Sequence, residues 1–356
     1  MKMKNLYAAA LCLLILCGCG AKTTAPAATE APAAPVAPAA TPDDTSAQTT
    51  AETETAPALP ADATTMPART WPVTVTDDLG REVTLDAPPE HVAAIIGSFA
   101  ETWLLAGGEL AATVRDAWDD FHLDLGPEVT NLGNYKEVSV ELLFAEDADL
   151  VIASANTKVH VELKDTLEQA KVPVLYFEVN SFDDYLRMLK VCCDITGRTD
   201  LYQQNGLEIE KQVDAAIAEA EAAKAAQGAP RVLLIRTAAS GIHAKGSTGT
   251  VLGLMLADLG CENIADGSDL LEDLSIERII EADPDSIFVV QQGNDSEGAE
   301  KTLNEALTGN PAWAGLTAVK EGRVYRMDRS LYHFKPNNRW GTAYAQLEAI
   351  LYNETK

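Results

Sequence analysis

VSVELLFAEDADLVIAS, residues 138–154, returns at 274–290 as LSIERIIEADPDSIFVV. Laid side by side without a gap, Ser139 falls on Ser275, Glu141 on Glu277, Asp147 on Asp283 and Asp149 on Asp285. Apolar Val140 falls on Ile276, Val151 on Ile287 and Ile152 on Phe288. Two copies this far apart point to two similar lobes, because a solenoid repeats at shorter periods. Two like lobes leave a cleft between them, and the function is expected there.

Outward from the repeat, short apolar runs alternate with helical stretches. VTVT (73–76) and EVTL (82–85) flank the turn-rich Asp77–Arg81, which predicts an opening β-hairpin. HVAAII (91–96), Ala112–Val114, Leu150–Ser154 and Val174–Phe177 read as strands, with helices near 100–106 and 161–170. After Phe182 the spacing becomes helical, and Leu201–Ala226 is rich in Ala, Glu, Gln and Lys with no proline, which predicts a long strut. RVLLIR (231–236) opens a second series: a Gly/Ser/Thr-rich loop, a helix at 251–259, and strands at 287–291 and 324–327. Short helices at 302–308 and 314–319 and a final helix at 341–352 complete it. Such alternation predicts an α/β fold: two Rossmann-like lobes with parallel sheets, joined by one long α-helix.

The N-terminal end sets the compartment. Lys2 and Lys4 precede an apolar run at 6–17 that is too short to span a bilayer, and Leu16-Cys17-Gly18-Cys19 matches a bacterial lipobox. Residues 1–19 are therefore expected to be a lipoprotein signal peptide, with Cys19 lipidated. Residues 20–70 are almost all Ala, Pro, Thr, Glu and Asp and read as a disordered tether. The remaining chain divides into an N-terminal lobe at 71–181, linking helices at 182–228 and a C-terminal lobe at 229–356. Charge excludes a further class. With 27 basic against 54 acidic residues, a net charge of -27, nucleic acid is not an expected partner. Cys192, Cys193 and Cys261 form no disulfide framework and no CxxC metal site.

Several segments carry a resemblance: TDDLGREVTLDAPPEHVAAI (76–95), NLGNYKEVSVELLFAEDADLVIAS (131–154), KVPVLYFEVNSFDDYLRMLKVCCDITGR (171–198), NPAWAGLTAVKEGRVYRMD (310–328) and FKPNNRWGTAYAQLEAILY (334–352). In these the chain resembles the substrate-binding lipoproteins of ABC importers that serve iron-siderophore, haem and cobalamin uptake, the class III periplasmic binding proteins. The resemblance implies a monomer that captures a metal chelate, most of all a ferric siderophore, and delivers it to a permease dimer. It implies no cofactor and no catalysis. It also implies that Glu141 and Glu277, one per lobe, dock into arginine pockets of the permease. Ser139 and Ser275 are N-cap candidates as well, so an acid in the first turn also suits the helix dipole.

Ligands of open α/β sheets bind at the carboxyl ends of the strands. That rule nominates Ser98, Phe99, Glu101, Trp118, Tyr135 and Lys136 on the first lobe, and Arg236, Tyr332, Lys335, Arg339 and Trp340 on the second. Gly97, Phe121, the Lys245–Thr250 loop, Gln291, His333 and Asn337 lie beside them. Aromatics offer apolar contact, and the cations offer forks for carboxylate or catecholate oxygens. Arg236 stands out, because an arginine closing an apolar strand must face something polar. No metal-coordinating residue is obvious at the second lobe's cleft edge, which speaks against direct ligation of haem iron. The alternatives are a cobalamin or haem carrier, or a surface enzyme with Glu101 or His243 as base. The chain has no GxSxG elbow and no HExxH.

Overall fold

A computed structural model of the chain describes residues 70–271 and 274–353. The expected signal peptide, the lipidation of Cys19 and the tether up to residue 69 lie outside the described residues.

The chain opens with the hairpin β1 (Val73–Thr76) and β2 (Glu82–Leu85), whose turn is organised by Asp77. One Asp77 oxygen accepts the Leu79 and Arg81 amides, and the other meets the Arg81 guanidinium at 2.6 Å. Then β3 (Val92–Ala94), β4 (Ala112–Thr113), β5 (Thr130–Asn131), the small hairpin β6 (Gly133–Asn134) and β7 (Glu137–Val138), β8 (Leu150–Ser154) and β9 (Val174–Phe177) follow. The first sheet runs β5-β4-β3-β8-β9, all parallel, in register Val92 with Leu150 and Val151 with Val174. Every residue of β3, β8 and β9 is buried, as unbroken apolar strands covered on both faces must be.

The second sheet contains β10 (Arg231–Ala238), β11 (Gly241–Lys245), β12 (Glu262–Asn263), β13 (Ser286–Gln291) and β14 (Val324–Met327), in the order β11-β10-β13-β14 with β12 beside the start of β10. It is parallel except for one edge. Part of the expected Gly/Ser/Thr-rich loop is β11, which folds back antiparallel on β10 through a tight turn at 238–241. Ile242 and Ala244 alternate with His243 and Lys245, too short a pattern to separate from the loop around it.

The repeat is a repeat of hydrogen bonds. Ser139 Oγ accepts the Leu142 amide and Ser275 Oγ the Arg278 amide, each at 3.3 Å, capping a short helix. Asp147 and Asp283 end those helices with φ of 49° and 40°, a left-handed conformation Asp tolerates. Asp149 accepts the amides of Glu90 and His91 at the foot of β3, and Asp285 accepts that of Arg231 at the foot of β10. Each aspartate thereby fixes the start of a central strand to its neighbour.

Between the sheets in sequence lie two helices. Phe182–Thr196 begins with a capping box of Ser181 and Asp184 and stops at Gly197, whose φ of 75° suits a residue without a Cβ. The expected strut runs from Thr199 to Gln227, with one π-helical turn at Gln203–Leu207. That turn frees the Asn205 carbonyl to accept the Tyr185 hydroxyl at 2.8 Å. The strut buries Val213, Ala216 and Ala220, a stripe at helical spacing, and packs along the final helix Trp340–Glu348. Trp340, fully buried, sits 6.0 Å from the Phe182 ring. One apolar core consequently continues from the first sheet through these helices into the second. The lobes share their interior there.

Candidate functional site

In each sheet the strand order reverses beside its central strand, between β3 and β8 and between β10 and β13. The carboxyl ends there are Gly97–Glu101 and Asp116–Phe121 on the first lobe. On the second they are Arg236 and residues 329–339, which follow β14. These segments touch. Asn337 donates to the Ser98 carbonyl at 3.0 Å and to the Glu101 carboxylate. Asp120 pairs with Arg329 at 3.6 Å, and the rings of Phe121 and Phe334 lie 5.4 Å apart.

On the second lobe cations gather, and only one of them meets an acid. Val232, Leu234 and Arg236 occupy one face of β10, by the two-residue period of a strand. Val232 and Leu234 enter the shared core, so Arg236 is carried to the edge of that core, and its Nε is shut from solvent with no hydrogen-bond partner. Arg329 Nε is in the same condition. His333 is held neutral: burial first, then Arg236, Arg329 and Lys335, push its pKa down to about 4. Burial also lowers Lys335 and Arg236, and burial with Arg236 lowers Lys245. Among the described residues, only Arg329 of these four cations has a carboxylate partner.

The opposite wall is acidic. Burial raises Glu101, against the pull of the Asn337 hydrogen bond and Arg339. Burial raises Asp116 to about 6, although the Gly97 amide donates to its Oδ2 at 3.1 Å. Asp116 Oδ1 and Ser98 Oγ have no partner and no solvent.

The expected site residues therefore divide. Ser98, Glu101, Arg236, Lys335 and Arg339 come together at the meeting of the lobes. Arg339 also donates to Ser330 Oγ at 3.2 Å. Trp118 is half-buried against the core beside them. Three aromatics do not line the cleft and are corrected. Phe99 packs edge-on against Phe177, Tyr332 donates its hydroxyl to the Ala343 carbonyl, and Trp340 lies in the helix core. Phe99 and Tyr332 lie in the first turns after β3 and β14, and Trp340 opens the final helix; in each place one helix face must turn inward. Tyr135 and Lys136 form the β6–β7 turn on the other side of the first sheet. There the Lys136 amine lies 5.4 Å over the Tyr135 ring, and the Tyr135 carbonyl accepts from buried His160 at 2.7 Å.

Other candidates resolve into structure. In the Lys245–Thr250 loop, Thr250 Oγ1 caps the next helix by accepting the Gly253 amide, and Asp266 takes the Ser247 amide. His243 is exposed on the edge strand β11. No cluster of three or more His, Cys, Asp or Glu among the described residues could hold a metal ion. A groove of about 510 Å³ lies at the opposite, amino ends of the first-lobe strands, lined in part by Pro88, Pro89, Phe144, Asp149 and Pro173. It holds none of the uncompensated cations, and Asp149 is already spent on β3.

Comparison with known proteins bears on the fold and the family. The chain is 22% identical over 209 residues to the Fe(3+)-citrate-binding protein YfmC of Bacillus subtilis, covering 58% of this chain and 61% of that protein, less than two thirds of its length. It is 23% identical over 280 residues to the iron-uptake system-binding protein of the same organism, covering 76% of this chain and 82% of that one. Its fold is similar to that of a periplasmic haem-binding protein from Pseudomonas aeruginosa, with a TM-score of 0.61 at 22% identity over 75% of this chain and 94% of that chain. The profile of the Periplasmic binding protein family matches residues 92–331, from the start of β3 into the helix after β14. Proteins of that family bind substrates for transport and are not enzymes. By that match the chain belongs to the periplasmic binding protein family.

Proposed function

We propose that this chain is an extracytoplasmic, lipid-anchored solute-binding protein that works as a monomer. It holds an anionic metal chelate, a ferric siderophore or ferric citrate, between its lobes and hands it to an ABC permease dimer. The observation that carries the reading is the convergence on a neutral His333 of Arg236 and Lys335, which have no carboxylate partner among the described residues, and of Arg329, whose partner is Asp120 of the first lobe, in a chain of net charge -27. Buried cations without acids are costly unless an anion arrives to compensate them. A chelate brings its own metal ligands, so the protein needs to recognise only the organic shell, which suits a site without a metal-binding cluster. Of the two relatives, one is named for binding Fe(3+)-citrate and the other for an iron-uptake system, which supports an iron cargo.

The test is a titration of the purified protein with ferric citrate, a ferric catecholate, haemin and cyanocobalamin, read by tryptophan quenching. Saturable binding of an anionic ferric chelate is expected. Binding of cyanocobalamin alone would sink the anion reading, and haemin alone would favour the haem carrier. For the anchor, Cys19→Ser should move the protein from the membrane fraction to the soluble fraction; retention on the membrane would refute it.

A bound anion also changes the site's proton balance. Burial is the larger cause of the low His333 pKa, but the anion offsets the part owed to Arg236, Arg329 and Lys335, so the His333 pKa rises in the complex and binding takes up a proton in acid. Affinity for a chelate whose own charge is constant should therefore tighten as pH falls below the raised His333 pKa of the complex and level off near 4, its value in the free protein. In His333→Gln that slope should be lost, and an unchanged slope would remove His333 from the site.

A further inference from the structure

The shared contact of the lobes contains two kinds of unsatisfied group, and they are segregated by lobe. On the second lobe, Arg236 Nε and Arg329 Nε are donors in want of an acceptor. On the first, Asp116 Oδ1 is an acceptor in want of a donor, beside Ser98 Oγ, which can serve either way. Ser98 is only 1% exposed, so the orphaned hydroxyl is not a surface accident.

The first-lobe pair is built in place. A Cβ on Gly97 would come within 2.8 Å of the Ala117 amide and of the Phe121 ring, so only glycine lets the turn after β3 close on Asp116–Phe121. That closure brings the Gly97 amide to Asp116 Oδ2 and leaves Oδ1 over to face something else. Phe121 continues from there to Phe334, and the Ser98 carbonyl is held by Asn337, so the pair lies against the junction of the lobes. A buried polar atom left unmade costs about 1–3 kcal/mol, which favours parting this contact for a ligand able to satisfy both walls.

We propose that Asp116 and Ser98 form a second subsite, on the first lobe, that reads a hydrogen-bond donor, and that the chain selects chelates bearing an ammonium or hydroxyl group opposite their anionic end. The proposal rests on the cleft being an anionic-chelate site. A neutral donor satisfies Oδ1, and an ammonium also offsets a carboxylate that burial has made poorly solvated. Asp119 and Asp120 nearby add to that negative field. Haem propionates and all-carboxylate complexes satisfy only the second lobe.

A matched pair of probes separates the two walls: the ferric complex of 2,3-dihydroxybenzoyl-lysine, with its free ammonium, and that of 2,3-dihydroxybenzoyl-norleucine, whose side chain ends in a methyl group and donates nothing. The wild-type protein should bind the ammonium form at least tenfold more tightly by tryptophan quenching. Asp116→Asn keeps an acceptor for the Gly97 amide but removes the charge. It should cut that preference to less than twofold and leave the norleucine complex, which has no donor for Asp116, bound as before. Ser98→Ala, a milder change, should shift the preference in the same direction. Equal affinity of the wild type for both forms, a preference that survives both substitutions, or equal weakening of both complexes would overturn the subsite while the anion site stands. If neither complex nor ferric citrate binds the wild type, the anion reading fails first and the subsite with it.

Discussion

Arg236→Ala is expected to weaken binding of ferric citrate by about 30- to 3,000-fold, the equivalent of the roughly 2–5 kcal/mol that truncating one partner of a buried charge pair costs. The assay is the same quenching titration. What separates this from general damage is stability. In the free protein Arg236 makes no ion pair, its Nε is unsatisfied, and burial alone disfavours its charge. Removing it should leave urea denaturation of the free protein unchanged or shifted upward, since an uncompensated buried charge is lost. Affinity and stability would thus move independently or in opposite directions. Arg236→Lys keeps the charge but not the planar fork, and should fall between the two. Loss of both binding and stability would make Arg236 a structural residue and remove the main support for an anionic ligand.

The same residue shows why part of the site was legible beforehand. A charge that closes an apolar strand has one face available to it, and the two-residue period of β10 carries Arg236 to the edge of the shared core with Val232 and Leu234. The two lobes were legible for a related reason. Ser139, Asp147, Asp149 and their counterparts each satisfy a backbone need that arises wherever a short helix feeds a central strand, and such needs leave the same residues at the same spacing. The rest was hidden by tertiary choice. Phe99, Tyr332 and Trp340 sit at the right places in the chain, but which way a ring turns in the first turn of a helix depends on what packs above it. Asp116 and Arg329 are not nominated by the strand-end rule, and only the Gly97 close approach and the meeting of the lobes bury them. β11 was missed because two apolar residues cannot announce a strand.

The repeat leaves one matched pair without a task inside its lobe. Ser139 and Ser275 cap, Asp147 and Asp283 end helices, Asp149 and Asp285 anchor strands. Glu141 and Glu277 are exposed, and among the described residues neither has a hydrogen-bond or ion-pair partner. Their only local service is an acid in the first helical turn, worth about 0.3–1 kcal/mol to the fold. A role that small does not require glutamate on both lobes, whereas a partner with two like, basic sites does. The permease dimer proposed above would be such a partner. Glu141→Ala combined with Glu277→Ala should therefore abolish uptake of radiolabelled iron by cells carrying the variant. Chelate affinity should stay within about twofold, and stability within about 1–2 kcal/mol of the wild type. Each single variant should retain part of the uptake, because one lobe still engages. Two basic replacements, Glu141→Arg and Glu277→Arg, should be worse than the alanines, since like charges then face each other across the interface. Uptake at the wild-type rate in the double alanine variant would show that the pair survives in the repeat for its helices alone.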